Sequence, residues 1–99
     1  MDTMAFEASA KAEGFVDIEK RDGAANFTAK PHTHPFDVRA LVLDGEFTLH
    51  RDGGAQTYRA GESFAMDAEC VHAEQYGASG STYILARRHH AAKRTDSTS

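Results

Sequence analysis

The 99-residue chain has no tryptophan, one cysteine and two prolines. Because a disulfide needs two cysteines, Cys70 cannot belong to an internal disulfide framework, and a reducing compartment, most simply the cytosol, is expected. No apolar run approaches the roughly 20 residues that span a bilayer. Residues 1–15 also lack the apolar core of a secretory signal, so we expect neither a membrane-spanning segment nor secretion.

Positive charge is also scarce. Eleven lysines and arginines stand against 15 acidic residues, which gives a formal net charge of −4 when histidine is neutral. An acidic balance argues against nucleic acid or an anionic membrane as the main partner. The length supports one domain, whose small core would gain from further surface buried in a homodimer.

An N-terminal helix is predicted over residues 2–13. Asp2 or Thr3 can cap it by accepting free backbone N–H groups, and its alanines favour helix. Gly14 can adopt the left-handed conformation that commonly ends a helix. A helix this short must pack on another element to be stable.

Short apolar strands separated by turns follow the helix. The clearest strand, residues 38–50, is broken by Asp44-Gly45, and residues 51–54 are a strong hairpin signal. Residues 77–80 are interpreted as a loop before the last strand, residues 82–86. The other predicted strands are residues 15–19, 26–29, 56–59, 63–66 and 71–76. Six or more strands at this spacing, with no helix between them, predict an all-β sandwich or small barrel.

Two histidines in a Pro-His-Thr-His-Pro segment at residues 31–35 form the first candidate site. Alternate side chains of an extended chain point to the same face, so His32 and His34 converge. Two imidazoles on one face can clamp a first-row transition metal; a chance pair in a surface loop is the alternative. His72, on a later strand, could come beside this pair in a closed barrel, or be a hydrogen-bonded structural histidine.

These histidines and the glycine turns resemble the two motifs of the cupin family. His32 and His34, followed by Asp44-Gly45-Glu46, are similar to the first motif, and residues 61–72 (GESFAMDAECVH) are similar to the second. The resemblance covers about residues 26–87. It implies an all-β double-stranded β-helix, or jelly-roll barrel, with a metal near its interior, and it also implies a homodimer.

The residue patterns and the resemblance together predict three segments. Residues 1–14 form the N-terminal helical segment, residues 15–90 form the cupin barrel, and residues 91–99, where hydrophobic periodicity is lost, form a mobile tail. The histidines are expected at one mouth of the barrel.

The metal ligands that the resemblance implies are His32, His34 and His72. Imidazole suits Fe, Mn, Ni and Zn alike, so the expected cofactor is a divalent transition metal of unspecified identity. The family's further ligand usually stands four residues after the second histidine, where this chain has Val38, which cannot bind a metal. Open coordination positions would be filled by water or substrate.

The relation of Asp37 and Cys70 to this site stays open. Asp37 would reach the metal only from an irregular loop, because on a strand it faces away from the next residue; otherwise it pairs with Arg39 or Lys30 or caps a loop. Cys70 shares the face of His72 and is either a soft ligand or a small buried hydrophobe.

Three functions are compatible with these candidate residues and with the resemblance. The first is a metal-dependent small-molecule enzyme of the dioxygenase or isomerase type, in which Glu74, on the face of His72, is the best candidate for an acid or base. The second is a non-enzymatic binding or sensor module for a small molecule, with a degenerate metal site, which the missing further ligand favours. The third is a structural dimer whose histidines bind nothing, with neither metal nor pocket.

Overall fold

The computed structural model describes residues 2–89, which form one helix and six strands. Their bounds are α1 Thr3–Ala12, β1 Val16–Gly23, β2 Thr28–His32, β3 Phe36–Arg51, β4 Gly54–Arg59, β5 Ser63–Met66 and β6 His72–His89. The predicted class, an antiparallel β fold with one short N-terminal helix, is confirmed. The tail predicted at residues 91–99 lies outside the described residues. Within the described range, α1 is too short to cross a membrane.

The two longest strands, β3 and β6, pair along almost their whole length and organise the fold. Their antiparallel register runs from Phe36 opposite His89 to His50 opposite Ala73. β1 and β2 both pair with β6, whereas β4 and β5 both pair with β3. One end of the β3–β6 pair therefore carries β1 and β5, and the other end carries β2 and β4, so the sheet has two four-stranded halves.

The two halves meet at a corner built from glycine. The register of β3 against β6 shifts on both sides of Gly45, and the φ angles of Gly45 and Gly80 are 75° and 82°. The expected strand break at residues 44–45 and the expected loop at residues 77–80 are wrong, since both segments lie inside continuous strands. Glycine absorbs the bend at these bulged positions without ending the hydrogen-bonded ladder.

The inner faces of the two halves pack against each other. The first half supplies Val38, Ala40, Val42, Tyr83, Leu85, Phe64 and Met66, and the second supplies Phe47, Leu49, Tyr58 and Tyr76. These residues recur at every second position of their strands, as expected when one face of a strand is buried. Phe47 and Tyr83 join the halves edge to face, with ring centroids 5.0 Å apart.

Helix α1 covers the outer face of the first half. The Asp2 carboxylate caps the helix by accepting the N–H of Ala5 at 2.9 Å, and Gly14 follows the helix with a φ of 89°. Phe6 is buried against the outer face of the sheet, and the guanidinium of Arg39 lies over its ring at 5.1 Å. This packing supplies the stability that so short a helix lacks alone.

A buried carboxylate fastens the β5–β6 connection to the sheet. Asp37 is 5% exposed, and its Oδ1 accepts the N–H of Ala68 at 2.7 Å. Its Oδ2 accepts from Nε of Arg88 at 3.0 Å. The carboxylate therefore holds residues 67–71 in place, and these residues lead directly into His72.

Substituting Gly45 by alanine tests the corner. A Cβ at Gly45 would lie 2.2 Å from the carbonyl oxygen of Gly80, whereas a Cβ at Gly53, whose φ of 76° is almost the same, meets nothing within 4 Å. We expect Gly53→Ala to lower the free energy of unfolding by about 1 kcal/mol from the left-handed backbone alone. Gly45→Ala should cost about 3 kcal/mol, because overpacking adds to that strain. Equal losses in urea denaturation would show that the close approach is not a constraint.

The Asp37 contacts can be tested by Asp37→Ala. This change removes two hydrogen bonds at a buried carboxylate, and we expect the free energy of unfolding to fall by about 2 kcal/mol. Asp22→Ala is the matched control, because Asp22 is exposed and accepts only from the Thr82 hydroxyl, at 3.0 Å, among its described side-chain contacts. The control should lose less than about 0.5 kcal/mol. An Asp37→Ala variant as stable as the control in urea denaturation would contradict the assigned role.

Candidate metal centre

Three histidines and one glutamate lie together at the end of the barrel where β2 ends and β6 begins. The group comprises His32, His34, His72 and Glu74, and its potential ligand atoms all lie within 4.8 Å of one another. The three imidazole centroids are separated by 4.3, 4.9 and 5.1 Å. Such a group could hold a metal ion.

Strand pairing explains why these residues converge. His32, the last residue of β2, lies directly opposite His72, the first residue of β6. Residues opposite each other in an antiparallel pair have Cβ atoms about 5 Å apart. Glu74 follows His72 by two positions and shares its face. His34 lies in the connection from β2 to β3, where its carbonyl oxygen accepts the N–H of Glu69 at 2.8 Å.

Backbone carbonyls orient two of the three rings. Nδ1 of His72 donates to the carbonyl oxygen of Cys70 at 2.9 Å, and Nδ1 of His32 donates to that of Lys30 at 2.6 Å. In a neutral ring the other nitrogen, Nε2, then carries a lone pair. Histidines that bind metals are commonly oriented by such bonds from the second nitrogen.

The Nε2 atoms of His32 and His72 both lie close to a carboxylate. Oε2 of Glu74 lies 3.4 Å from Nε2 of His72 and 3.7 Å from Nε2 of His32. Nε2 of His72 is buried and has no hydrogen-bond partner within residues 2–89. Acceptors that converge in this way are costly unless a cation or a proton lies between them. Two ligands of a tetrahedral ion with bonds of about 2.1 Å are about 3.4 Å apart, so the donor set fits a metal.

The environment of the third ring favours its neutral form. His34 stacks on Phe36 with ring centroids 5.0 Å apart and an interplanar angle of 11°. Burial, together with the neighbouring imidazoles of His32 and His72, lowers the pKa of His34 below its usual value. The neutral imidazole is the form that binds a metal.

The cluster opens into an apolar cavity of about 150 Å³ inside the barrel. His34 and Glu74 form part of its wall, so a molecule in the cavity would lie beside the candidate metal group. The apolar part of the wall includes Val38, Phe47, Leu49, Phe64, Met66 and Leu85. The site therefore combines a cluster of potential ligands with an enclosed volume for a small molecule.

The structure brings together the three histidines selected from the sequence and adds Glu74 to them. A carboxylate from β6 thus joins the group, whereas Val38 lines the cavity. Sequence reasoning considered Glu74 as an acid or base and did not include it among the potential ligands. The two-residue spacing from His72 was the signal that could have identified it.

The positions of Asp37 and Cys70 are now clear. The Asp37 carboxylate binds Arg88 and the backbone N–H of Ala68, and it does not belong to the group of three histidines and Glu74. The half-buried Cys70 packs against the core, as a small hydrophobe would, and its thiol is not in that group. Its backbone carbonyl contributes to the site by orienting His72.

Comparison with known proteins identifies a family and several similar structures. A family model described as a cupin domain matches residues 23–92. An RmlC-like cupin from Shewanella frigidimarina has a TM-score of 0.62 at 20% identity, covering 77% of this chain and 68% of that one. A cupin superfamily protein from Desulfitobacterium hafniense has a TM-score of 0.66 at 16% identity, with coverages of 74% and 66%. No curated protein matches the sequence.

The polyketide cyclase RemF from Streptomyces resistomycificus also shares the fold, with a TM-score of 0.60 at 19% identity. The match covers 71% of this chain and 52% of the cyclase. At such identities these structures establish a common jelly-roll fold. Since the cupin domain model matches well over half of the sequence, this chain belongs to the cupin family.

Proposed function

We propose that this protein binds one divalent transition metal, Fe, Mn, Ni or Zn, through His32, His34, His72 and Glu74. We further propose that the metal acts on a small molecule held in the adjoining cavity, as in an enzyme of the dioxygenase or isomerase type. The convergence of two oriented Nε2 lone pairs on the Glu74 carboxylate supports the metal site. The shared wall of cluster and cavity supports the small-molecule role.

The residues around the site would have two roles. Some would hold the metal, and others would form an apolar wall beside it. A bound metal would supply Lewis-acid or oxygen chemistry, because coordination positions beyond the protein ligands stay open. The carbonyls of Lys30 and Cys70 keep the two Nδ1 protons away from the site, so each Nε2 faces the metal position. The aromatic and aliphatic wall excludes water, which strengthens electrostatic interactions inside the cavity.

A binding or sensor module is the second candidate, and the composition of the cavity favours it. Apart from His34 and Glu74, the described residues that line the cavity are apolar residues, two arginines and Tyr83. If His34 and Glu74 bind the metal, the described residues of this wall supply no further imidazole or carboxylate that could act as a general acid or base. A metal-loaded protein that binds its small molecule and leaves it chemically unchanged would identify this module.

Metal content of untagged protein tests the proposed ligands. After reconstitution with Fe, Mn, Ni and Zn in turn, elemental analysis should find about one equivalent of at least one metal. His72→Ala and His34→Gln should each lower the affinity at least about tenfold. His50→Ala is the control, because His50 lies outside the cluster and bonds with Gln75. Folded wild-type protein that takes up none of these metals, or a control variant that loses as much, would refute the site.

Metal affinity should depend on pH in one direction. Protons compete with the metal for imidazole, whose ordinary pKa is about 6.5, so the affinity should fall as the pH drops. Because the pKa of His34 is lowered, the loss of affinity from that ring should come at a lower pH than for an ordinary imidazole. Isothermal titration calorimetry with Zn²⁺ or Ni²⁺ between about pH 5.5 and 7.5 measures this trend. An affinity that stays constant over this interval would mean that the histidines are not the ligands.

A further inference from the structure

We infer that the cavity binds a small monocarboxylate, with its apolar body inside the barrel and its carboxylate on the guanidinium groups of Arg21 and Arg87. This inference rests on the proposed function, because it takes the same cavity as the binding site of the small molecule. It names the chemical class of the small molecule.

The size and lining of the cavity limit the body of the ligand. A volume of about 150 Å³ bounded mainly by aromatic and aliphatic side chains favours a small apolar group. An apolar protein cavity of about this volume accommodates one benzene ring. The part of the ligand inside the barrel is therefore apolar and no larger than about a phenyl group.

Two arginines interrupt this apolar wall. Arg21 extends from β1 and Arg87 from β6, and both line the cavity. The side chain of Arg87 is 19% exposed, and its guanidinium carbon lies 5.4 Å from the centre of the Phe36 ring. A guanidinium offers five N–H donors and stays charged, and it binds carboxylates in preference to neutral groups.

A carboxylate of the chain already bridges these two arginines. Oε1 of Glu19 lies 2.9 Å from a terminal nitrogen of Arg21 and 2.8 Å from one of Arg87. Hydrogen bonds from Arg87 and Arg21 lower the pKa of Glu19, so it is ionised near neutral pH. The bridge shows that both guanidinium groups can reach one carboxylate oxygen at the same time.

The charges around the cavity favour an anionic ligand. Glu19 carries one negative charge against two on the arginines, which leaves one positive charge at this wall. The two guanidinium groups also carry more N–H donors than their bonds to Glu19 and to the carbonyl oxygen of Asp17 use. A carboxylate beside the arginines would thus meet a net positive charge, and an ammonium group would be repelled there. The Glu74 carboxylate also lines the cavity, and its charge is the same in wild-type protein and in the arginine variants.

Titration of benzoate, benzamide and benzylamine into metal-free protein tests the inference. The three share a phenyl body and differ in charge, so we expect benzoate to bind at least about tenfold more tightly than either of the others. Arg21→Gln and Arg87→Gln should each weaken benzoate binding about tenfold and leave benzamide binding unchanged. Arg59→Gln is the matched control, because Arg59 is exposed, pairs with Glu46 and does not line this cavity.

The Glu19→Gln variant should change the affinity for benzoate in the opposite direction to the arginine variants. It therefore keeps the test decisive if an arginine variant folds poorly. Removing the competing negative charge should strengthen benzoate binding several-fold. Equal affinities for benzoate and benzamide, no benzoate binding by folded protein, or weaker binding in Glu19→Gln would overturn the inference. Because metal uptake is measured separately, metal binding without benzoate binding would refute this inference alone. Benzoate binding without metal uptake would refute the metal centre alone.

Discussion

The pairing of β3 with β6 is the constraint on which the rest of the structure depends. These two strands supply most of the inner residues of both halves, and every other strand pairs with one of them. Their shared corner at Gly45 and Gly80 turns one sheet into two facing halves, which encloses the cavity. The same register fixes where β6 begins, so that His72 comes opposite the end of β2 and beside the imidazole of His32.

Hydrogen bonds to backbone groups outside the candidate metal centre orient two of its imidazole rings. Two backbone carbonyls take the Nδ1 protons of His32 and His72, and the opposite nitrogens are left to face Glu74. Asp37 supports this arrangement indirectly, since it holds the backbone of the segment that supplies one of these carbonyls. Hydrogen-bond acceptors that converge at a partly buried position repel one another. A cation bound between them would relieve this repulsion, which would add to the affinity for the cation.

The cavity connects the metal centre with a second group of charges. His34 and Glu74 bound it on one side, and Arg21 and Arg87 also line it, with Glu19 bridging the two arginines. The wall between these groups is aromatic and aliphatic. Arg87 and Glu74, whose side chains are 19% and 18% exposed, are the charged groups of the cavity most shielded from solvent, so their charges interact more strongly than they would in water. The proposed metal chemistry and the proposed carboxylate ligand thus use one enclosed space.

Local patterns in the sequence were sufficient for the elements and for most of the cluster. Period-two alternation placed His32 with His34 and Glu74 with His72 on common faces. Asp2 or Thr3 marked the start of the helix and Gly14 its end, and the motif spacing selected His32, His34 and His72. The bends inside β3 and β6 escaped prediction, because a glycine that ends a strand and a glycine that bulges one look alike in a sequence. Only the pairing of two distant strands distinguishes these cases.

What the sequence by itself determined is therefore the fold class, the helix and the three candidate imidazoles, since these follow from periodicity and from short motifs. Only the tertiary structure decided that Glu74 joins the histidines and that Arg21 and Arg87 converge on Glu19. Contacts of that kind depend on which strands become neighbours and in what register, and register is a property of the whole sheet.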